Sequence, residues 1–340
     1  MPDEMDQRCT ALVEELGIAR PDEIIAVKPL SGGVASDIAV VSLADRDICV
    51  KFALPRLKVA EDWRAPVHRN RAEYAWLSFA GAVVPKSVPR LLGISASLHG
   101  FAMEYLAGTD IYLWKTALLK EAPDRREAER VGDVLGRIHA ASTRPDFDRS
   151  PFFNRNDFRS LRLEPYLTFT AGKHPDLAQN LIALAERLYR SETALVHGDV
   201  SPKNILFRSA DPILLDAECA TMGDQCFDVA FCLNHLVLKS VHLPASRDRL
   251  LGSVGHFWAA YSSHIAWEEP QATEERVAAL LPALMLARVD GKSPVEYLSE
   301  ASRATVRALA IPLIARPAAT LGELITTLKA ELNDVENRVR

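Results

Sequence analysis

The chain has 340 residues, more than one average domain, with 48% hydrophobic and 25% charged residues, a composition that excludes a disordered or fibrous protein. Lys and Arg number 40 against 45 Asp and Glu, a formal charge of -5 without any long basic run, so nucleic-acid binding through phosphates is not expected.

The opening residues, MPDEMD, are acidic and polar and lack the basic start and apolar stretch of a secretory signal, so the expectation is a cytoplasmic protein. Five cysteines without a C-x-x-C pair are expected to be reduced and buried. Short β-rich runs follow: EIIAVKPL (23–30), DIAVVSL (37–43), DICVKFAL (47–54), VPRLLGIS (88–95) and GFAMEYL (100–106). Gly32-Gly33 and Asp45-Arg46-Asp47 separate the first three as hairpin turns do, which predicts a small antiparallel sheet. One helix interrupts it, because Ala72, Ala75, Trp76 and Phe79 recur at three and four. After Gly108 the pattern is nearly all helical, with amphipathic segments at 127–141, 177–190, 227–240, 247–264, 273–287 and 321–336. Two short strands, 194–196 and 213–215, are the exceptions. The longest apolar run, 277–287, is interrupted by Pro282 and far shorter than the roughly 20 residues of a membrane span, so it reads as a core helix and no membrane partner is expected. Nothing in the pattern speaks to oligomeric state.

Between those two strands lies the loop of LVHGDVSPKNILF (195–207). A carboxylate just after a strand, here Asp199, suits a general base that orients an attacking hydroxyl and takes its proton. Asn204 and Asp216, the latter at the end of PILLD, offer oxygens that suit Mg²⁺. In the first part, Gly32 and Gly33 let backbone N–H groups approach phosphate oxygens closely, and Lys51, between apolar neighbours in CVKF, needs an anionic partner. Glu73 and the α and β phosphates of a nucleotide are the candidates. Each piece also has a bland reading: a hairpin turn, an edge lysine, a helix cap, an exposed ion pair. Their joint order along the chain is what points to chemistry.

That order, Gly-rich turn, strand Lys, helix Glu, hinge, H-G-D-x-x-x-x-N and strand-terminal Asp, resembles the protein-kinase-like fold. HGDVSPKNILF and LLDAECATMGDQCFDVAF are similar to the catalytic loop and metal-binding segment of its aminoglycoside phosphotransferase branch, with choline, homoserine, fructosamine and methylthioribose kinases as relatives. The resemblance implies an α/β (α+β) two-lobed fold: an N-terminal antiparallel sheet lobe with one helix (1–107) and a larger helical C-terminal lobe (108–340) carrying the catalytic loop and acceptor site. It implies an ATP-dependent phosphotransferase acting on a hydroxyl of a small polar metabolite, a sugar, amino alcohol or aminoglycoside-like molecule, with Mg²⁺. Asp199 becomes the base, with Lys51 and Glu73 on the phosphates. Asn204, Asp216 and Glu218 become metal ligands, and Met103, Glu104, Tyr105 and Leu106 the hinge that meets adenine. His197 and Asp228 become braces of the loop. The turn has two adjacent glycines where protein kinases space three, and Gln225 replaces the usual Pro. Residues 53–69 are similar to methylthioribose-kinase-like sequences, which lack Asn at the position of Asn204, so that acceptor is not assigned.

A protein kinase and a pseudokinase without turnover are the rivals; the text Asp216-Ala217-Glu218 in place of D-F-G, with no A-P-E segment after it, speaks against the first. The Gly-Lys-Ser of DGKSP (290–294) is not a phosphate loop, because the required earlier glycine falls at Leu286 and a helix precedes it; a helix end at Gly291 and a new helix after Pro294 are expected instead. Arg288 either reaches the acceptor or pairs with a carboxylate, and Trp258, Tyr261 and Trp267 either stack on a sugar or fill core. Glu268, Glu269, Glu274 and Glu275 are mixed with arginines, which argues against a polycationic acceptor.

Overall fold

The structure, a computed structural model, describes residues 4–30, 36–56 and 66–339. Gly32 and Gly33 lie outside the described residues.

Five antiparallel strands, β1 (Ile24–Pro29), β2 (Ser36–Leu43), β3 (Asp47–Ala53), β4 (Leu91–Ser95) and β5 (Gly100–Glu104), form one sheet in the order β1-β2-β3-β5-β4. Helix α1 (Glu4–Glu15) covers one face, where Cys9, Leu12 and Val13 pack with Val41, Val50, Phe52 and Ala102. Helix α2 (Arg69–Val83) covers the other, where Trp76, Leu77 and Ala80 join Phe101. Alternation along β3 therefore sends Val50 and Phe52 toward α1 and leaves Lys51, paired in register with Ile38 and Phe101, facing the opposite side.

After residue 104 the chain becomes helical apart from five short strands. β6 (Ile111–Leu113) leads into α3 (Trp114–Leu119) and α4 (Glu127–Ser142). A short α5 (Arg155–Phe158) runs into a π-helical stretch at Arg159–Thr168 and then α6 (Phe169–Lys173), followed by α7 (Ala178–Arg190). β7 (Ala194–Val196) pairs with β10 (Thr221–Gly223), and β8 (Ile205–Arg208) pairs with both β6 and β9 (Asp211–Leu214). Then come α8 (Cys226–His242), α9 (Arg247–Ser262), α10 (Pro270–Asp290), α11 (Glu300–Ala315) and α12 (Leu321–Val339). α8 is apolar on nearly every side and sits at the centre of the core, buried from Cys226 to Val241.

The antiparallel sheet, α2, α4 and the late helices agree with the sequence pattern. The sequence reading lacked α1, α3, α11, the 155–173 helical stretch and the strands β6, β8 and β10. The expected helix directly after Pro294 is corrected: 295–299 is a loop, and α11 begins at Glu300. Gly291 does end a helix, and its glycine is required by packing, since a Cβ there would collide with the Ala287 carbonyl and lie 3.0 Å from the Pro165 carbonyl. Trp258, Tyr261 and Trp267 pack in or against the core, Tyr261 bonding His139 at 2.9 Å. No helix among the described residues is long and apolar enough to cross a membrane. All five cysteines are free and buried.

Candidate active site

The loop between β7 and β8 is fixed from below by α8. Asp228, wholly buried in the first turn of that helix, accepts the backbone N–H of His197 at 2.6 Å and of Gly198 at 2.8 Å, and His139 Nε2 stands 3.3 Å from the same carboxylate. Gly198 takes φ +82°, and a Cβ there would lie 2.7 Å from Cys219 Cβ, so only glycine makes this turn without strain. His197 Nδ1 accepts the Asp199 N–H at 3.1 Å, while its ring packs edge-on against Trp76 at 4.6 Å. Burial lowers its pKa, and the neutral ring then carries its proton on Nε2. The two residues read as braces do brace the loop.

Asp199 is 3% exposed. Its Oδ2 receives Arg162 Nη2 at 3.0 Å and Lys203 Nζ at 3.1 Å, while Oδ1 has the longer 3.4 Å contact from Ser201. Burial pushes the carboxyl up, but Lys203 and Arg162 outweigh it and hold the pKa below the usual range. Asn204 donates Nδ2–H to the Asp199 carbonyl at 3.1 Å, which turns its amide oxygen the other way. Its own carbonyl accepts the Leu215 N–H at 2.9 Å. Because Ile205 pairs with Leu214 in β8–β9, Asn204 and Asp216 flank the same end of one hairpin. Asp216 departs from that strand with φ +69°.

Asp216 reaches the sheet. Its Oδ1 lies 2.5 Å from Lys51 Nζ, which also donates to Glu73 Oε1 at 2.7 Å. Two carboxylates share one buried ammonium. Burial pushes Glu73, 2% exposed, up to about 7, whereas for Asp216 the same burial is outweighed by Lys51 and Lys203, which hold it far below the usual range. Burial disfavours the charged form of Lys51, yet Asp216 and Glu73 raise its pKa above the ordinary value and keep it protonated. Glu218, two residues on, accepts Arg69 Nε at 2.8 Å, and Arg69 also donates to the Pro66 and Leu54 carbonyls at 2.9 Å each. Arg69 thus ties both ends of the 54–66 segment to Glu218.

Direct contacts thus join Glu73, Lys51 and Asp216 to one another and Asn204 to Asp199, the two groups meeting at one end of the β8–β9 hairpin, while Glu218 is held by Arg69 two residues beyond Asp216. Met103 and Glu104 end β5 against Cys49 and Ile48, and Leu106 follows where the chain leaves the sheet. Sequence reasoning missed Arg69, Arg162 and Lys203. Lys203 stood in the quoted loop, but no spacing signal marked Arg162. A cavity of about 570 Å³ opens elsewhere, beside α4 and the β8–β9 turn, lined by Lys86, Arg130, Asp133 and Asp211 among others and by none of the residues above.

The donors fit a hard cation, since Asn204, Asp216 and Glu218 offer only oxygens, and Asp216 is held ionised. The model of the phosphotransferase enzyme family matches residues 26–261, more than half of the chain. The chain belongs to that family. Relatives within reach of sequence comparison include methylthioribose kinases of Erwinia tasmaniensis, 24% identical over 270 residues (68% of this chain, 67% of that protein), and of Pectobacterium atrosepticum, 23% over 304 residues (77% and 74%). The match spans about two thirds of the length of the first of these. Similar solved structures include the choline kinase LicA of Streptococcus pneumoniae, with TM-score 0.54 and 12% identity over 92% of this chain and 99% of that one. A choline/ethanolamine kinase family protein of Mesorhizobium loti gives 0.56 and 14% over 96% and 99%. The amicoumacin kinase hAmiN, in complex with AMP-PNP, Ca²⁺ and Ami, gives 0.58 and 14% over 94% and 98%. At these identities the likeness is one of fold, and that fold is kinase-like.

Proposed function

We propose that this phosphotransferase is a small-molecule kinase that moves the γ-phosphoryl group of ATP to a hydroxyl of a small polar metabolite, with 1–107 as the nucleotide lobe and 108–340 as the lobe that carries the base and the acceptor. The observation that carries the reading is the chain of contacts from Glu73 through Lys51 to Asp216, which joins the sheet to the hairpin that also bears Asn204 and, through it, Asp199.

In this reading Lys51 holds the α and β phosphates, fixed by Glu73, and the backbone of 103–106 meets adenine. Asn204, Asp216 and Glu218 would hold Mg²⁺, which would supply neutralisation of the charge on the phosphate oxygens. Asp199 Oδ1, the less engaged oxygen, accepts the hydroxyl of the acceptor, while Arg162 and Lys203 fix Oδ2. The hydroxyl oxygen forms its bond to the γ-phosphorus as the bond to the β-γ bridging oxygen breaks; ADP leaves and the proton passes to Asp199. A carboxylate held below its ordinary pKa is a weak base, which suits a transition state in which positioning and charge stabilisation matter more than early proton removal.

The kinase relatives and the nucleotide analogue and divalent ion named for hAmiN support ATP and a metal. Only residues 217–225 separate Asp216 from α8, which leaves no room for the long activation loop of a protein kinase. Asp199→Ala is expected to abolish phosphorylation of any acceptor found by screening hydroxylated metabolites while leaving AMP-PNP binding largely intact; near-normal turnover in that variant would overturn the assignment.

A further inference from the structure

Asp228, Phe231, His235, Lys239 and His242 recur at three and four along α8 and share one face. Its first member holds the catalytic loop. Eleven residues later, about 16 Å along the axis, Lys239 is 1% exposed, with its Nζ 4.9 Å over the Tyr297 ring and 3.5 Å from the His235 carbonyl. Arg288 of α10, 8% exposed, bonds the Tyr166 hydroxyl at 3.2 Å and Ser293 Oγ at 3.0 Å, with its Nε unsatisfied. Neither cation makes an ion pair among the described residues.

His235 Nε2 and the Tyr297 hydroxyl are buried without a partner as well. Burial and then the charges of Lys239, Arg288, Lys203 and Lys115 keep His235 neutral. One carboxylate, Glu296, stands at the rim and is engaged by Lys115. A buried cation without a counter-ion is strongly unfavourable, and here the charge of Arg288 also reaches and disfavours that of Lys239. The cluster is also joined to the catalytic base: Arg162, on Asp199 Oδ2, and Tyr166, on Arg288, lie four residues apart on the same helical stretch.

We infer that the acceptor carries an anionic group, a carboxylate or a phosphate ester, and that Arg288 and Lys239, with Tyr166, Tyr297 and His235 around them, form the subsite that takes it; this rests on the reading of the chain as a small-molecule kinase. A cationic acceptor of the choline or aminoglycoside type meets repulsion there. The free Tyr297 hydroxyl, and the unpartnered Nε2 of His235 when it carries the ring proton, supply hydrogen bonds that a carboxylate or phosphate oxygen accepts.

Thermal unfolding of the full chain tests this, with and without saturating AMP-PNP and Mg²⁺, after addition of inorganic phosphate, D-glycerate or choline. The expected result is a further rise of about 2 °C or more with phosphate or glycerate, none with choline, and loss of the rise in both Lys239→Met and Arg288→Lys. The two anions separate a phosphate from a carboxylate preference. No rise with either anion, an equal rise in both variants, or a rise with choline alone overturns the proposal. The AMP-PNP shift is read separately: its absence defeats the kinase reading, while the nucleotide-free arm still decides the anion subsite.

Discussion

Lys203 and Arg162 both pair with one oxygen of Asp199, at 3.1 and 3.0 Å, one from four residues further along the same loop and one, as a hydrogen bond, from the π-helical stretch. Two cations on Oδ2 fix the carboxylate in one rotamer and leave Oδ1 the freer oxygen. Arg162 makes no hydrogen bond to Lys51 or to the metal-ligand candidates; it also donates to the Gly198 carbonyl, and its charge reaches Asp216 more weakly, so its removal acts first on Asp199 and its loop. Arg162→Met is expected to lower ADP formation by about 100-fold, the scale of a misplaced catalytic group, with AMP-PNP affinity unchanged. Steady-state ADP release with water or an identified acceptor, alongside titration of the analogue, checks both halves; a parallel loss of nucleotide affinity would place Arg162 in a different role.

Gly198 joins backbone strain to close packing. Alanine there meets both the positive φ and the Cys219 side chain at 2.7 Å, and displaces the N–H that Asp228 accepts. The expected cost is about 1–3 kcal/mol of stability, read as a lowered urea midpoint at unchanged slope, with activity falling further than stability because Asp199 is the next residue. Wild-type stability in Gly198→Ala would mean the loop relaxes freely.

The site was readable in the sequence to the extent that its chemistry is encoded in residue type at fixed separation. Asp199, Asn204 and Asp216 lie within one short stretch, and the β3 alternation that aims Lys51 is visible as apolar neighbours at 50 and 52. Arg69 and Arg162 were not, because an arginine acquires its role only from what the fold brings to it: Glu218 is 149 positions from Arg69, and Asp199 is 37 from Arg162, whereas Lys203 lay in the loop itself with no spacing that set its role. The same reason hid β6, β8 and β10, strands of three or four residues stabilised by cross-strand partners more than by local pattern. The 159–168 stretch contains Pro165, a residue that reads as a helix break, yet the chain passes through it in a wider helical turn.

Burial governs the thiols. Desolvation pushes Cys9 and Cys49 up to about 12, and raises Cys219, Cys226 and Cys232 well above the ordinary thiol value too. Thiolate is the reactive form, so all five are expected to be silent to a disulfide reagent at neutral pH in the folded protein and to react together once it is unfolded. One fast-reacting thiol in the native chain would contradict the packing described for that cysteine.

Lys239 ties stability to pH with an unusual sign. Burial first, then Lys115 and Arg288, lower its pKa to about 7 in the folded chain, against 10.5 when exposed. Between those values the unfolded chain holds more protons than the folded one, so stability rises with pH across that interval. Below about 7 both forms are protonated and the full penalty of the buried charge is present; above 10.5 both are neutral and it is gone. Lys239→Met removes the titrating group and keeps the side-chain shape, so it is expected to be more stable than wild type near pH 6, with the difference shrinking steadily toward pH 10. Urea unfolding of the two proteins at several pH values in a phosphate-free buffer measures that difference directly, since the other titrating groups are common to both. A gap that does not change with pH would mean Lys239 keeps its ordinary affinity for a proton, and the cluster around it would then need a counter-ion from within the fold.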